Sequence, residues 1–342
     1  METSGDVWET VLAACKVRPG EKVVVLAGNR TDEQNAAAAM RALRALGAHA
    51  ARLEAPAPAL SPRVVWGNLA PYHMPALSGN RMIIECLKAA DMVIDMVGMD
   101  RGDEQKEILA SGTRVLLVRE GPATLQRLIS GPDDKRRVCE AATRLRAAKV
   151  MRVVSDAGTD FRAPIGQYPL LVQYGLADEP GRWDHWPSAF VATWPDEGAA
   201  NGTIVLDRGD IILPFKDYVR TRIRLTIRDG YIQAIDGEFD ADYLREYMAI
   251  FNDREGYAVS HIGWGLLPQA QWAALGLFDK VQSHGMDARS FLGNFMFSTG
   301  PNGEAGGTRD PYCHLDMPMR NCTVFLDDDM VVSKGKVVGV NS

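Results

Sequence analysis

KVVVLAGNRTDEQNAAAAMRALRALG, residues 22–47, decides the architecture of the first half of the chain. Lys22 to Ala27 is short, apolar and β-branched, which suits a strand buried on both faces. Thr31 and Asp32 offer side-chain oxygens that can cap a helix. The Ala-rich run that follows stops at Gly47. The same alternation continues outward. His49–Leu53 reads as a strand, a Pro-rich loop runs through Pro71, and Met82–Ala90 reads as a helix. Asp91–Val97 and Thr113–Val118 are further strands, with helices at Glu104–Ala110 and Pro132–Ala148. Strands alternating with helices predict a parallel α/β sheet covered on both faces. The turn Gly28-Asn29-Arg30 lacks the glycine pattern that lets backbone amides approach a pyrophosphate, so a nucleotide site is not expected.

The pattern changes near Met151. Thr203–Leu206, Ile211–Leu213, Arg222–Ile227 and Tyr231–Ile235 are short strands in hairpin-like succession, and Asp229-Gly230 is a strong hairpin turn. A helix follows at Asp240–Phe251 and a strand at Ala258–Gly265. The reading is an α/β domain at 1–150 and an α+β, antiparallel-rich catalytic domain that binds metal at 151–342.

The 342 residues carry a formal charge of −6, with 46% hydrophobic and 24% charged residues. That balance supports a sizeable core and argues against nucleic acid, which needs clustered Lys and Arg. No apolar run reaches the roughly 18 residues of a membrane span. The start shows no secretory signal, and the five cysteines are scattered without a CxxC pair. A cytoplasmic location is expected.

Six histidines are present. His49 lies in a strand and reads as structural, while His73 and His284 lie in loop or turn sequence and read as solvent-facing. His314-Leu315-Asp316 differs, because residues i and i+2 of a strand share a face and can meet one ion. Alone the motif could equally be a surface strand pair. His261 sits in the apolar stretch Tyr257–Gly265, where a buried imidazole needs a partner or a metal. Two histidines and one carboxylate suit a single ferrous ion with open positions, and suit zinc less well without a fourth ligand. Trp183-Asp184-His185-Trp186 reads as a Pro/Gly-bounded loop. His185 could move protons with Asp184 orienting it, and the indoles could bound a flat ring. The loop could equally be a packing element with a capping Asp.

The stretches GRWDHWPS (181–188), SHIGWG (260–265), GNFMFSTGPN (293–302) and YCHLDMP (312–318) resemble the 2,5-dihydroxypyridine 5,6-dioxygenase family. These are iron enzymes of nicotinate degradation, related structurally to the M29 metallopeptidases of leucyl-aminopeptidase type. The resemblance runs over most of the chain and is strongest from about Leu170 to Met319. It implies His261, His314 and Asp316 as ligands of one Fe(II) per subunit, a hydroxylated pyridine and O2 as substrates, N-formylmaleamate as the product of the dihydroxypyridine, and a homo-oligomer. The rival it implies is an M29-type metallo-aminopeptidase with two metals. His261 replaces a peptidase Glu, and Glu197 stands for another peptidase ligand. Gln173 stands where the dioxygenases place a substrate-contacting Glu, Arg101 near a mobile His, and Ser188 where that family carries another His. An added Arg and a lost carboxylate favour a ring bearing its own carboxylate. Trp183, Ser298, Thr299 and Asn302 are further candidates to face the substrate or support the ligands, and Asp310 to orient His314.

Overall fold

The expected first strand is β1 (Lys22–Ala27), buried from Val23 onward. It follows α1 (Ser4–Ala14) and leads to α2 (Glu33–Ala45), whose N-cap Asp32 accepts from the amides of Gln34 and Asn35. The computed structural model describes residues 4–55, 76–77, 79–99 and 102–339; His73, Arg101 and the Pro-rich loop from Pro56 lie outside the described residues. In chain order come β2 (His49–Glu54), α3 (Arg81–Lys88), β3 (Met92–Asp95), α4 (Asp103–Ala110), β4 (Arg114–Val118), α5 (Pro122–Arg127) and α6 (Pro132–Ala147).

The chain divides into two units. The first takes the chain up to Lys135, Gln173–Ala189 and Phe278–His284; the second takes Arg136–Val172, Phe190–Leu277 and the chain from Gly285. The chain therefore returns to the first unit twice after residue 150.

The first unit is built on a five-stranded parallel sheet ordered β2-β1-β3-β4-β8, where β8 is Trp183–Trp186, reached after β5 (Val150–Val154), β6 (Asp160–Pro164) and β7 (Leu171–Gln173). Val24, Leu26, Val93 and Val115 pack with Ile83, Leu87 and Ile108 of α3 and α4. The alternate side chains Val23, Val25 and Ile94 are buried too, and α2 lies on β1 and β2 against α1. Both faces are covered, as the alternation predicts. The expectation of a loop at 183–186 is corrected: Val115 pairs with Trp183 and Val118 with Trp186. Aromatic and β-favouring side chains between two turns extend the sheet, since they fit a pleated, half-buried surface.

The second unit holds an eight-stranded sheet ordered β14-β13-β10-β6-β5-β18-β19-β20 and a five-stranded sheet ordered β17-β16-β15-β9-β7. The strands are β9 (Phe190–Thr193), β10 (Asn201–Leu206), β11 (Ile211–Ile212), β12 (Asp217–Tyr218), β13 (Ile223–Arg228) and β14 (Tyr231–Gly237), then β15 (Val259–Gly265), β16 (Phe295–Thr299) and β17 (Leu315–Met319). β18 (Thr323–Leu326), β19 (Asp329–Ser333) and β20 (Lys336–Val337) complete them, and α7 (Phe239–Ile250) lies on β13 and β14. Asp229 (φ 49°) and Gly230 (φ 77°) form the expected tight hairpin turn. Phe161 of β6 meets Phe297 of β16 edge-on at 5.8 Å, so the two sheets share a core. Gly263 of β15 is required by packing, because a Cβ there would collide with the Val191 carbonyl of β9. No described helix is long and apolar enough to cross a membrane.

Asp210 fixes the far end of β17. Its carboxylate accepts from the amide of Arg320 at 2.9 Å and from that of Asp207 at 2.8 Å. Burial pushes the Asp210 carboxyl up to about 7, against the two amides that favour its ionised form. A folded-state value above the unfolded one means protonation stabilises the fold. That contribution is complete below about pH 4 and is lost as pH rises through 7. Urea unfolding should therefore show stability falling from pH 5 to pH 8 by on the order of 2–3 kcal/mol from this group. The slope should flatten in Asp210→Asn; an unchanged slope would refute the assignment.

Candidate metal centre

β15, β16 and β17 lie side by side and carry the centre. Ser298 pairs with Asp316 and Thr299 with Leu315, so Asp316 points to the same face as Ser298. His314 immediately precedes β17, two residues from Asp316, and keeps that face. In β15 the register slips: Val259 pairs with Thr299, but Ile262 pairs with Phe297. This bulge inserts one extra residue at Ser260–His261 and re-aims the histidine.

His261 Nε2 lies 3.2 Å and His314 Nε2 3.4 Å from Asp316 Oδ1. All three residues are buried, and the three potential ligand atoms fall within 4.8 Å of one another. The two imidazole rings are 5.5 Å apart and tilted by 54°. Oδ1 accepts no hydrogen bond although it is buried. An ion about 2.1 Å from each donor would separate adjacent donors by about 3.0–3.5 Å, and both His–Asp separations, 3.2 and 3.4 Å, lie in that range. The residues therefore fit one divalent ion held on one side, with further positions left for other ligands. Among the described residues no other group of His, Cys, Asp and Glu is arranged this way.

The surroundings orient these donors. His314 Nδ1 lies 2.8 Å from the Thr299 carbonyl, which leaves Nε2 for the ion. Ser298 Oγ donates to the His261 carbonyl at 2.7 Å. Arg289 Nε donates to Asp316 Oδ2 at 2.7 Å, so only Oδ1 faces the histidines. Burial alone would push the Asp316 carboxyl up, but Arg289, then His314 and His261, outweigh it and hold it well below the usual carboxylate range. Trp194, fully inside, meets the His261 ring edge-on at 5.9 Å. No motif in the sequence singled out Arg289 or Trp194; each is joined to the centre only by tertiary packing.

Ser298 and Thr299 belong to β16. Asn302 does lie beyond the strand, where its Nδ2 donates to Tyr168 Oη at 3.2 Å and to Glu197 Oε2 at 3.3 Å. Glu197, the candidate peptidase ligand, is paired with Arg309 and accepts from Tyr168 at 3.0 Å.

In the first unit, Trp183 and His185 occupy one face of β8, and Asp184 and Trp186 the other. Trp183 packs against the core cluster of α3 and α4. Asp184 is fully buried, and burial raises its carboxyl despite Arg182 beside it. Its oxygens accept from the amides of Tyr174, Gly175 and His185 at 2.8–3.1 Å and from Arg182 at 2.6 Å. The expected grip on the His185 imidazole is thus corrected to a grip on its backbone, since neighbours on a strand project oppositely. Gln173, also buried, accepts from Ser188 Oγ at 3.2 Å. His284, read as solvent-facing, is half-buried with its ring 5.5 Å from that of His185, and its amide donates to Glu120 at 2.9 Å.

The chain is similar to proteins of known family. A family model described as NicX, 2,5-dihydroxypyridine 5,6-dioxygenase, matches residues 4–339. The curated 2,5-dihydroxypyridine 5,6-dioxygenase of Pseudomonas putida is 50% identical over 333 residues, covering 97% of this chain and 95% of its own. The solved structure of 2,5-dihydroxypyridine dioxygenase from Pseudomonas putida KT2440 superposes with a TM-score of 0.95 at 50% identity, over 98% of this chain and 97% of that one. AmpT from Thermus thermophilus shares the fold, with a TM-score of 0.59 at 14% identity over 98% of each chain.

Removing one imidazole should leave too few donors. In His261→Ala, calorimetric titration with Fe(II) under argon should show at least a tenfold loss of affinity. Affinity equal to that of the unaltered protein would exclude this centre.

Proposed function

The chain belongs to the 2,5-dihydroxypyridine 5,6-dioxygenase family, and from that premise we propose that it opens a hydroxylated pyridine ring using one Fe(II) per subunit held by His261, His314 and Asp316. The observation that carries this reading is the convergence of three buried donors on one point, with no second carboxylate among them. Ferrous iron held by these three residues would supply Lewis-acid and redox chemistry for the oxidation of a hydroxylated ring by dioxygen. With 2,5-dihydroxypyridine, both oxygen atoms enter the product, N-formylmaleamate, and no other reductant is consumed.

The chain's own groups prepare that reaction. Arg289 occupies Asp316 Oδ2, so the carboxylate offers a single oxygen and leaves coordination room. The Thr299 carbonyl fixes the His314 tautomer. Burial of all three ligands keeps bulk water from taking up the donors. His185 is proposed as the group that takes the hydroxyl proton and returns one to the opening ring. Arg101, Trp183, Gln173, Ser298 and Asn302 remain the proposed substrate-facing set, with a carboxylated ring favoured by Gln173 and Arg101. Two-metal peptidase chemistry is not proposed, because Glu197 is engaged by Arg309 and Tyr168. A cytoplasmic homo-oligomer is part of the proposal; all five cysteines are free thiols.

Protein loaded with Fe(II) should consume one O2 per ring opened in an oxygen electrode, screened across hydroxypyridines and hydroxypicolinates. Release of amino acids from peptides without oxygen uptake would overturn the reading. His185→Gln should lower kcat by about 100-fold or more and remove one limb of the pH profile. An intact profile would release His185 from that role.

A further inference from the structure

The β15 bulge that aims His261 takes backbone groups out of the regular ladder, and buried carbonyls left that way need other donors. Ser298 meets the His261 carbonyl. The Val259 carbonyl, at the other side of the bulge, accepts from Arg309 Nη2 at 2.9 Å. Nε of the same guanidinium lies 3.4 Å from the Gly300 carbonyl. Gly300 directly follows Thr299, whose own carbonyl orients His314. One planar cation thus ties the start of the strand bearing His261 to the end of the strand that steers His314.

Arg309 is built into this position. It is 8% exposed, its Nη1 pairs with Glu197, and Glu255 lies 3.8 Å from its Nε. Its amide donates to Asn302 Oδ1 at 2.8 Å, and the Asn302 amide donates back to its carbonyl at 3.1 Å. That reciprocal pair closes the neck of the loop running toward His314. A guanidinium offers five donors in a fixed fork, whereas an ammonium is a point charge that cannot hold both carbonyls and the carboxylate together.

We propose that Arg309 is a positioning residue of the metal centre, setting the separation of the His261 and His314 imidazoles by spanning the Val259 and Gly300 carbonyls. This rests on the metal reading above. The test is titration of the metal-stripped full-length protein with Co(II), whose visible absorption reports coordination geometry, alongside metal-free thermal melts. Arg309→Lys and Arg309→Met should bind Co(II) about 10–100-fold more weakly, with an altered visible band. Glu197→Gln should weaken binding in the same direction by less. A lowered melting temperature alone would not alter the band. If Arg309→Met fails to fold, Arg309→Lys and Glu197→Gln still decide the matter. Unaltered affinity and band in those two variants would overturn the proposal while the metal reading stands. Failure of the unaltered protein to bind Co(II) would overturn both.

Discussion

One buried carboxylate divides its two oxygens between opposite tasks. Asp316 gives Oδ2 to Arg289 and turns Oδ1 toward two imidazoles. A buried anion is costly without compensation, and here the guanidinium supplies it on one side while the metal is assigned the other. The strand order β17-β16-β15 brings His261 beside His314 and Asp316, from which it lies far in the chain.

Much of the fold was legible because its signals are local. Alternating apolar runs and capped helices marked the parallel sheet through β4, and Asp229-Gly230 marked the β13–β14 hairpin. The H-x-D spacing and an imidazole in apolar sequence marked the candidate metal-binding cluster, since strand alternation is fixed by the backbone. What escaped was non-local. Trp183–Trp186 read as a loop because its pairing partner, β4, precedes it by some 65 residues. Arg289 and Arg309 act across tertiary distance and look like ordinary surface cations in one dimension. The bulge in β15 leaves no mark either, although it decides where His261 points. Asp184 shows the opposite error: adjacency in sequence suggested a grip on the His185 ring, and strand geometry sends the two side chains apart.

The likeness to AmpT at 14% identity concerns the scaffold alone. Chemistry on such a scaffold is set by the donors at its centre and by what their neighbours occupy. In this chain Glu197 is committed to Arg309, Tyr168 and Asn302. A carboxylate held in that way supports loop structure.

The late arrival of β8 has a consequence for biosynthesis. When β4 leaves the ribosome, its outer backbone edge has no neighbour until residues 183–186 are made. An open parallel edge is a template for pairing with other nascent chains. Any product terminated between β4 and β8 would keep that edge bare. Such fragments should be handled by chaperones or aggregate, so the chain must be read through Trp186 before its first sheet is safe.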